Sequence, residues 1–152
     1  MAFVFACEFP EDLWYQVDMD VWLRDLGDGS LTLGMTDPAV TRSGRIVHIS
    51  ARVGRQAKAG QRVVTVESSK WVGPVPAPVA GTVLEVNPDV LADPNLVNRD
   101  PYARGWLVRL RPEEGPGGLA AQGLLRGEAA ISPYAEKLRL TQVGCIRCAE
   151  SG

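Results

Sequence analysis

The chain has three lysines among its 152 residues, Lys58, Lys70 and Lys137, so few amines compete for an amide-forming modification. Lys70 falls within Glu67-Ser68-Ser69-Lys70-Trp71-Val72-Gly73-Pro74-Val75-Pro76-Ala77-Pro78-Val79-Ala80-Gly81. The β-branched run from Arg62 to Val66 reads as a strand, and Val79 to Val86, opened by Gly81, reads as another. Between them lies a short hairpin whose tight turn holds its tip away from the body of the domain. An amine there is sterically open to a modifying enzyme and has no partner within the turn. A lysine alone is a solvated surface cation, so the flanking residues must carry any special role.

Sulfur is the other source of chemistry. Cys145 and Cys148 are spaced as Cys-x-x-Cys, which suits a redox disulfide or half a metal site; the plain alternative is a tail with reduced thiols. A structural zinc needs four ligands, and Cys7 and the sole histidine, His48, could complete a set only if the fold joined both chain ends. No metal is expected on that count. His48 reads as an ordinary strand residue, because histidine catalysis needs a partner constellation that is not visible here. Arg42, Arg45, Arg52 and Arg55 read as a solvated basic face.

The elements that must hold these groups are mostly short strands. Leu13–Val17 and Asp20–Asp25 read as strands across a polar break, and Gly27-Asp28-Gly29 as a turn. Leu31, Leu33 and Met35 alternate with Thr32, Gly34 and Thr36, as in a half-buried strand. Thr36-Asp37-Pro38 predicts a short helix ending by Gly44, with Asp37 as cap and Pro38 in first position. Arg45–Ile49 is a strand. Asn87–Asn98, with its Asn-Pro and Asp-Pro dipeptides, is expected to be a loop. Gly105–Leu110 is the last expected strand, with Trp106, Val108 and Leu110 on one face. Ser132-Pro133 caps a candidate helix over Tyr134–Leu140. Many short strands with Gly and Pro turns indicate a mainly β fold, a sandwich or barrel.

The totals exclude several classes. The length favours one domain, and 45% apolar with 22% charged residues is an ordinary globular composition. A net charge of -2 gives no electrostatic reason to expect nucleic acid as a partner. Met1–Pro10 lacks the basic start of a secretory signal, and the longest uncharged apolar run, Trp71–Leu84, is too short to span a bilayer and holds three prolines. Three cysteines do not make a secreted disulfide framework. The expectation is a cytoplasmic protein with no membrane partner.

Glu67-Ser68-Ser69-Lys70, followed by Ala77-Pro78-Val79-Ala80-Gly81-Thr82-Val83 and Glu85-Val86-Asn87, resembles the lipoylation hairpin of the glycine-cleavage H protein family. Val21-Trp22-Leu23-Arg24 and Leu33-Gly34-Met35-Thr36 are similar to the family's entrance strands. Pro94-Asn95-Leu96-Val97-Asn98, Pro101-Tyr102 and Gly105-Trp106-Leu107 are similar to its closing segment, so the likeness covers roughly residues 14 to 112. The resemblance implies a lipoyl-type barrel-sandwich hybrid with two small sheets, short peripheral helices and a C-terminal helix and tail. It places the lipoyl/H-protein-like domain at 13–112, an N-terminal arm at 1–12, and a linker, short helix and Cys-x-x-Cys tail at 113–152.

The same resemblance implies that Lys70 carries lipoate in amide linkage. Glu67, Ser68, Ser69, Trp71 and Gly73 would shape the hairpin and help a lipoate-attaching enzyme recognise it. Tethering a reactive disulfide keeps it near several partner sites without release. Biotinylation is the rival modification, but its hallmark lysine lies between two methionines, whereas Lys70 lies between Ser69 and Trp71. On this reading the chain is a carrier rather than an enzyme.

Three departures bear on the cargo. The family usually has a small residue where Trp71 stands, and more polar residues where Gly73, Pro74 and Pro76 stand. It usually has His-Glu-Trp where this chain has Asp20-Val21-Trp22. The chain thereby resembles most the family's lipoate-binding branch associated with sulfur oxidation. That branch would shuttle bound sulfur intermediates or electrons with a heterodisulfide-reductase-like complex. The alternative is aminomethyl carriage among the glycine-cleavage enzymes, including a lipoamide dehydrogenase-like flavoprotein. A third possibility, from another class, is a thiol-redox or metal-binding module run by Cys145 and Cys148.

Overall fold

A computed structural model describes residues 2–145. In chain order, β1 (Ala2–Val4) and β2 (Cys7–Phe9) form an antiparallel hairpin turned by Phe5 and Ala6, both at positive φ. β3 (Trp14–Gln16), β4 (Val21–Asp25) and β5 (Leu31–Met35) run antiparallel to one another. After α1 (Asp37–Ser43) come β6 (Ile46–Ala51), β7 (Gln56–Ala57), β8 (Arg62–Ser68) and β9 (Val72–Pro76). Then follow β10 (Gly81–Val86), α2 (Pro88–Ala92), α3 (Leu96–Arg99), β11 (Val108–Pro112), β12 (Leu125–Arg126) and α4 (Ile131–Thr141).

Among the described residues the strands make a seven-stranded sheet in the order β12-β3-β4-β5-β11-β10-β7, a three-stranded sheet β6-β8-β9, and the N-terminal hairpin. The fold is mainly β, as expected, but the sheets stay open instead of closing into a barrel. Inward-facing residues of the two larger sheets, among them Leu23, Leu33, Val64, Val66, Val83 and Leu110, form the main core. A second core gathers Phe9, Leu13, Tyr15, Trp22, Tyr102, Tyr134 and Leu138 beneath the N-terminal hairpin and α4. Phe9 stacks on Tyr134 with ring centroids 4.4 Å apart, and Tyr15 meets both rings edge-on. Trp22 pairs across strands with Gly34, where any Cβ would overlap the indole. Its Nε1 donates to the Met35 and Pro101 carbonyl oxygens.

Several expectations shift. The ascending strand of the lysine hairpin pairs with Val72–Pro76, not with Val79–Val86; the latter stretch becomes β10 in the other sheet. Pro74 and Pro76 are tolerated because β9 is an edge strand. The expected loop over Asn87–Asn98 contains α2 and α3. The Asn-Pro dipeptide there starts a helix: the Asn87 side chain accepts from Asp89 N, with Pro88 in the first turn. The cap of α1 is Thr36, one residue before the expected Asp37. Gly105–Leu107 lies before the last expected strand, which begins at Val108. The C-terminal helix starts at Ile131, three residues early, with Ser132 and Pro133 inside its first turn.

Candidate functional site

The three-stranded sheet raises Ser69 and Lys70 at the tip of the β8–β9 hairpin. Ser68 ties the turn shut. Its N–H donates to the Trp71 carbonyl oxygen at 2.7 Å, its hydroxyl donates to the same oxygen at 3.3 Å, and its Oγ accepts from Lys70 N at 3.2 Å. The neighbouring Ser69 N–H donates to the Arg45 carbonyl oxygen, which joins the tip to the chain leaving α1. Glu67 is exposed and lies across from Val72 on one side and His48 on the other. Glu67, Ser68 and Ser69 therefore have separate places: one outer face, one buried latch, one anchor to the body.

Two glycines shape the surroundings of the lysine. The Lys70 stem crosses Gly44, the left-handed residue that closes α1, where a Cβ would stand 2.6 Å from Lys70 Cε. Trp71 folds its indole over Gly73, where a Cβ would overlap the ring. The indole remains 42% exposed, next to the exposed Val72. Lys70 is itself exposed, and among the described residues no carboxylate stands within ion-pair distance of its amine.

Beside Lys70 opens a cleft of about 500 Å³, walled by the hairpin (Trp71, Val75), α1 (Ala39, Arg42) and the entry to β4 (Met19, Asp20). Asp20 sits in it with φ 56° and 1% exposure. Asp tolerates that left-handed backbone better than most residues. One Asp20 carboxylate oxygen pairs with the Arg42 guanidinium; the other stands 3.0 Å from Lys137 Nζ, reached from α4. The Lys137 ammonium also donates to the Val17 and Asp18 carbonyl oxygens. Burial first, and then the nearby Arg42 charge, push the Lys137 amine down to about 8. This Asp20–Arg42–Lys137 cluster escaped sequence reasoning. By sequence Arg42 belongs with Arg45, Arg52 and Arg55 to one basic run, but among the described residues it alone of the four pairs with a buried carboxylate.

The cysteines are arranged differently from the Cys-x-x-Cys expectation. Cys145 forms a disulfide with Cys7, 138 positions away, so the chain ends are joined and neither is a reduced thiol. Cys148 lies outside the described residues. His48 is an exposed strand residue, and among the described residues no group of three or more metal-ligating side chains comes together. Among these residues, too, no helix is long and apolar enough to cross a membrane.

Comparison with known proteins matches residues 13–131 to the family model "Glycine cleavage H-protein". The chain is 42% identical to "Glycine cleavage system H protein 3" of Aquifex aeolicus over 145 residues, covering 94% of this chain and 90% of that one. It is 39% identical to "Probable glycine cleavage system H protein 2" of Sulfurisphaera tokodaii over 153 residues, covering 97% and 99% respectively. A crystal structure of a glycine cleavage system H protein from Mycobacterium marinum superposes with a TM-score of 0.69 at 30% identity, covering 85% of this chain and 98% of that one.

Proposed function

Because this chain belongs to the glycine cleavage H-protein family, whose members carry covalently bound lipoate on a lysine, we propose that Lys70 is the lysine that bears it. The observation that carries this reading is the exposed amine at a latched hairpin tip beside a cleft, with no ion-pair partner among the described residues. Members of the family are carriers and have no catalytic activity of their own.

Lipoate supplies a dithiolane that exchanges with thiolates and can hold a fragment or a pair of electrons. The chain's own residues do the rest. Ser68 and Ser69 hold the tip in one shape for the attaching enzyme. Gly44 and Gly73 leave room for the lysine stem and the Trp71 indole. Acylation would remove the Lys70 charge, and Ala39, Trp71 and Val75 would offer an apolar wall to the arm in the cleft that Lys70 itself lines.

The family and the relatives named above support aminomethyl carriage between a decarboxylase, an aminomethyltransferase and lipoamide dehydrogenase. A second reading is the shuttling of sulfur intermediates or electrons with a heterodisulfide-reductase-like complex. One observation favours it: Asp20, the one carboxylate among the residues lining the cleft, already carries two cations, Arg42 and Lys137. Aquifex aeolicus also has relatives numbered 2, 3 and 5, so one organism holds several copies among which roles could be divided.

Intact-mass measurement after expression in a lipoylating host tests the site. One lipoyl adduct that is lost in Lys70→Arg is expected; a chain that stays unmodified, or an adduct that survives the substitution, refutes it. Reconstitution with glycine-cleavage enzymes tests the cargo: robust glycine decarboxylation supports aminomethyl carriage, and none with the lipoylated chain favours the sulfur reading.

A further inference from the structure

We infer that the cleft beside Lys70 selects acidic over basic groups at the end of the arm rooted there. This rests on Lys70 being the lipoylated residue, and it names the chemical class of cargo that the site retains.

Only Asp20, Arg42 and Lys70 among the residues lining the cleft bear ionisable side chains. Acylation neutralises Lys70, leaving Asp20 and Arg42. The Asp20 carboxylate is charge-matched: Arg42 pairs with one oxygen and Lys137 stands 3.0 Å from the other, from behind the cleft wall, although neither oxygen accepts a hydrogen bond among the described residues. Lys137 is itself turned to the Val17 and Asp18 carbonyl oxygens and does not line the cleft.

Asp20 carries two cations, Arg42 and Lys137, and the Asp18 carboxylate also acts on Lys137, so the cationic group that faces the cleft is Arg42. That charge has an accessible donor. The Arg42 side chain is 43% exposed, and a guanidinium has five N–H donors; its ion pair with Asp20 is made through one terminal nitrogen. A carboxylate, sulfonate or sulfur oxyanion entering the cleft can meet the free edge of Arg42. An ammonium would meet Arg42 at close range and find no free carboxylate among the lining residues.

The test uses the lipoylated Cys148→Ser chain, with the Cys7–Cys145 bond verified by mass. The arm is reduced and both its thiols are alkylated with iodoacetate, iodoacetamide or 2-bromoethylamine. Each thiolate displaces a halide and forms a thioether of similar length ending in a carboxylate, a neutral amide or an ammonium. Failure to find an arm to alkylate would refute the lipoylation site itself; the charge preference is judged only on alkylated protein.

Amide chemical shifts around Ala39–Ser43 and Val21 are compared across the three adducts, together with thermal midpoints. The carboxymethyl arm is expected to perturb these amides most and to raise the midpoint by about 1–3 °C over the neutral arm. The aminoethyl arm should leave them as in a chain whose arm points to solvent. Arg42→Gln should erase the difference between acidic and neutral arms. Equal perturbation by all three, or a larger effect from the ammonium, overturns the inference without recourse to any variant.

Discussion

The stem of Lys70 lies across the bare backbone of Gly44, and the contact needs both residues as they are. Gly44 has φ 74°, and a Cβ there would stand 2.6 Å from Lys70 Cε and 3.4 Å from Nζ. Gly44→Ala therefore carries two penalties, an alanine in backbone geometry open essentially to glycine alone (φ 74°, ψ −161°) and a displaced lysine. The expected loss is about 1–3 kcal/mol in urea unfolding, from the backbone alone. The displaced lysine is still at the tip, so lipoylation by intact mass should go to completion. A variant as stable as the parent would show that Gly44 does not hold this conformation.

Trp71 and Gly73 make a similar pair on the descending strand. The indole covers Gly73 so closely that a methyl group there has no room. Gly73→Ala should lift the ring into solvent and red-shift its fluorescence. Trp14, Trp22 and Trp106 also emit, so the signal is taken as the difference from a Trp71→Phe background. Gly73 is buried, but what covers it is the 42% exposed Trp71 side chain on an edge strand, which can swing out, so the stability cost should stay below about 1 kcal/mol. An unchanged difference spectrum would mean that the ring is not held over Gly73.

How much of this could be read from residues follows the range of the interactions. Lys70 and its turn were legible because Ser68, Lys70 and Trp71 act on one another within four positions, whereas the bond from Ser69 to the Arg45 carbonyl oxygen spans 24 positions. The strand at Leu31–Met35 was legible from its alternation, although all five residues are buried, because β5 is covered on both faces. Val72–Pro76 was hard to assign because two prolines argue against a strand unless it lies at an edge, and that depends on sheet order. Asn87-Pro88 signals either a break or a cap; the cap bond from Asp89 N is local, but the Asn87 side chain is also held by its amide donating to the distant Arg104 and Trp106 carbonyl oxygens. The Asp20–Arg42–Lys137 cluster draws on three elements spread over more than a hundred positions, and no local pattern encodes it. The same holds for Cys7 and Cys145, where the nearby Cys148 was the more obvious partner by spacing.

The disulfide makes a prediction of its own. Cys7 and Cys145 are buried and join the N-terminal hairpin to the chain beyond α4, closing a loop over most of the sequence. Without reductant, alkylation of the unfolded chain should label one cysteine, Cys148. Replacing Cys7 and Cys145 together by serine should cost about 3–5 kcal/mol, the range for cross-links that close long loops. Lys70 stands on the other core, so its lipoylation should persist in the variant under conditions where it remains folded. Three labelled cysteines in the unreduced protein would refute the pairing.

Lys137 gives stability a pH dependence whose sign is fixed by the direction of its shift. Burial and the Arg42 charge lower its amine to about 8 in the folded chain. In the unfolded chain it titrates at about 10.4. Below the folded value the ammonium is charged in both states, and burying it costs the folded one. Between the two values the folded chain has released a proton that the unfolded chain keeps, so the unfolded state binds more protons and this group's contribution to stability rises with pH. Lys137→Met lacks the titration while keeping most of the stem's packing. The urea-unfolding free energy of the parent minus that of Lys137→Met should therefore grow between about pH 7 and about pH 9.5. A gap that shrinks over that window would mean that Asp20, 3.0 Å away, holds the ammonium charged against its burial.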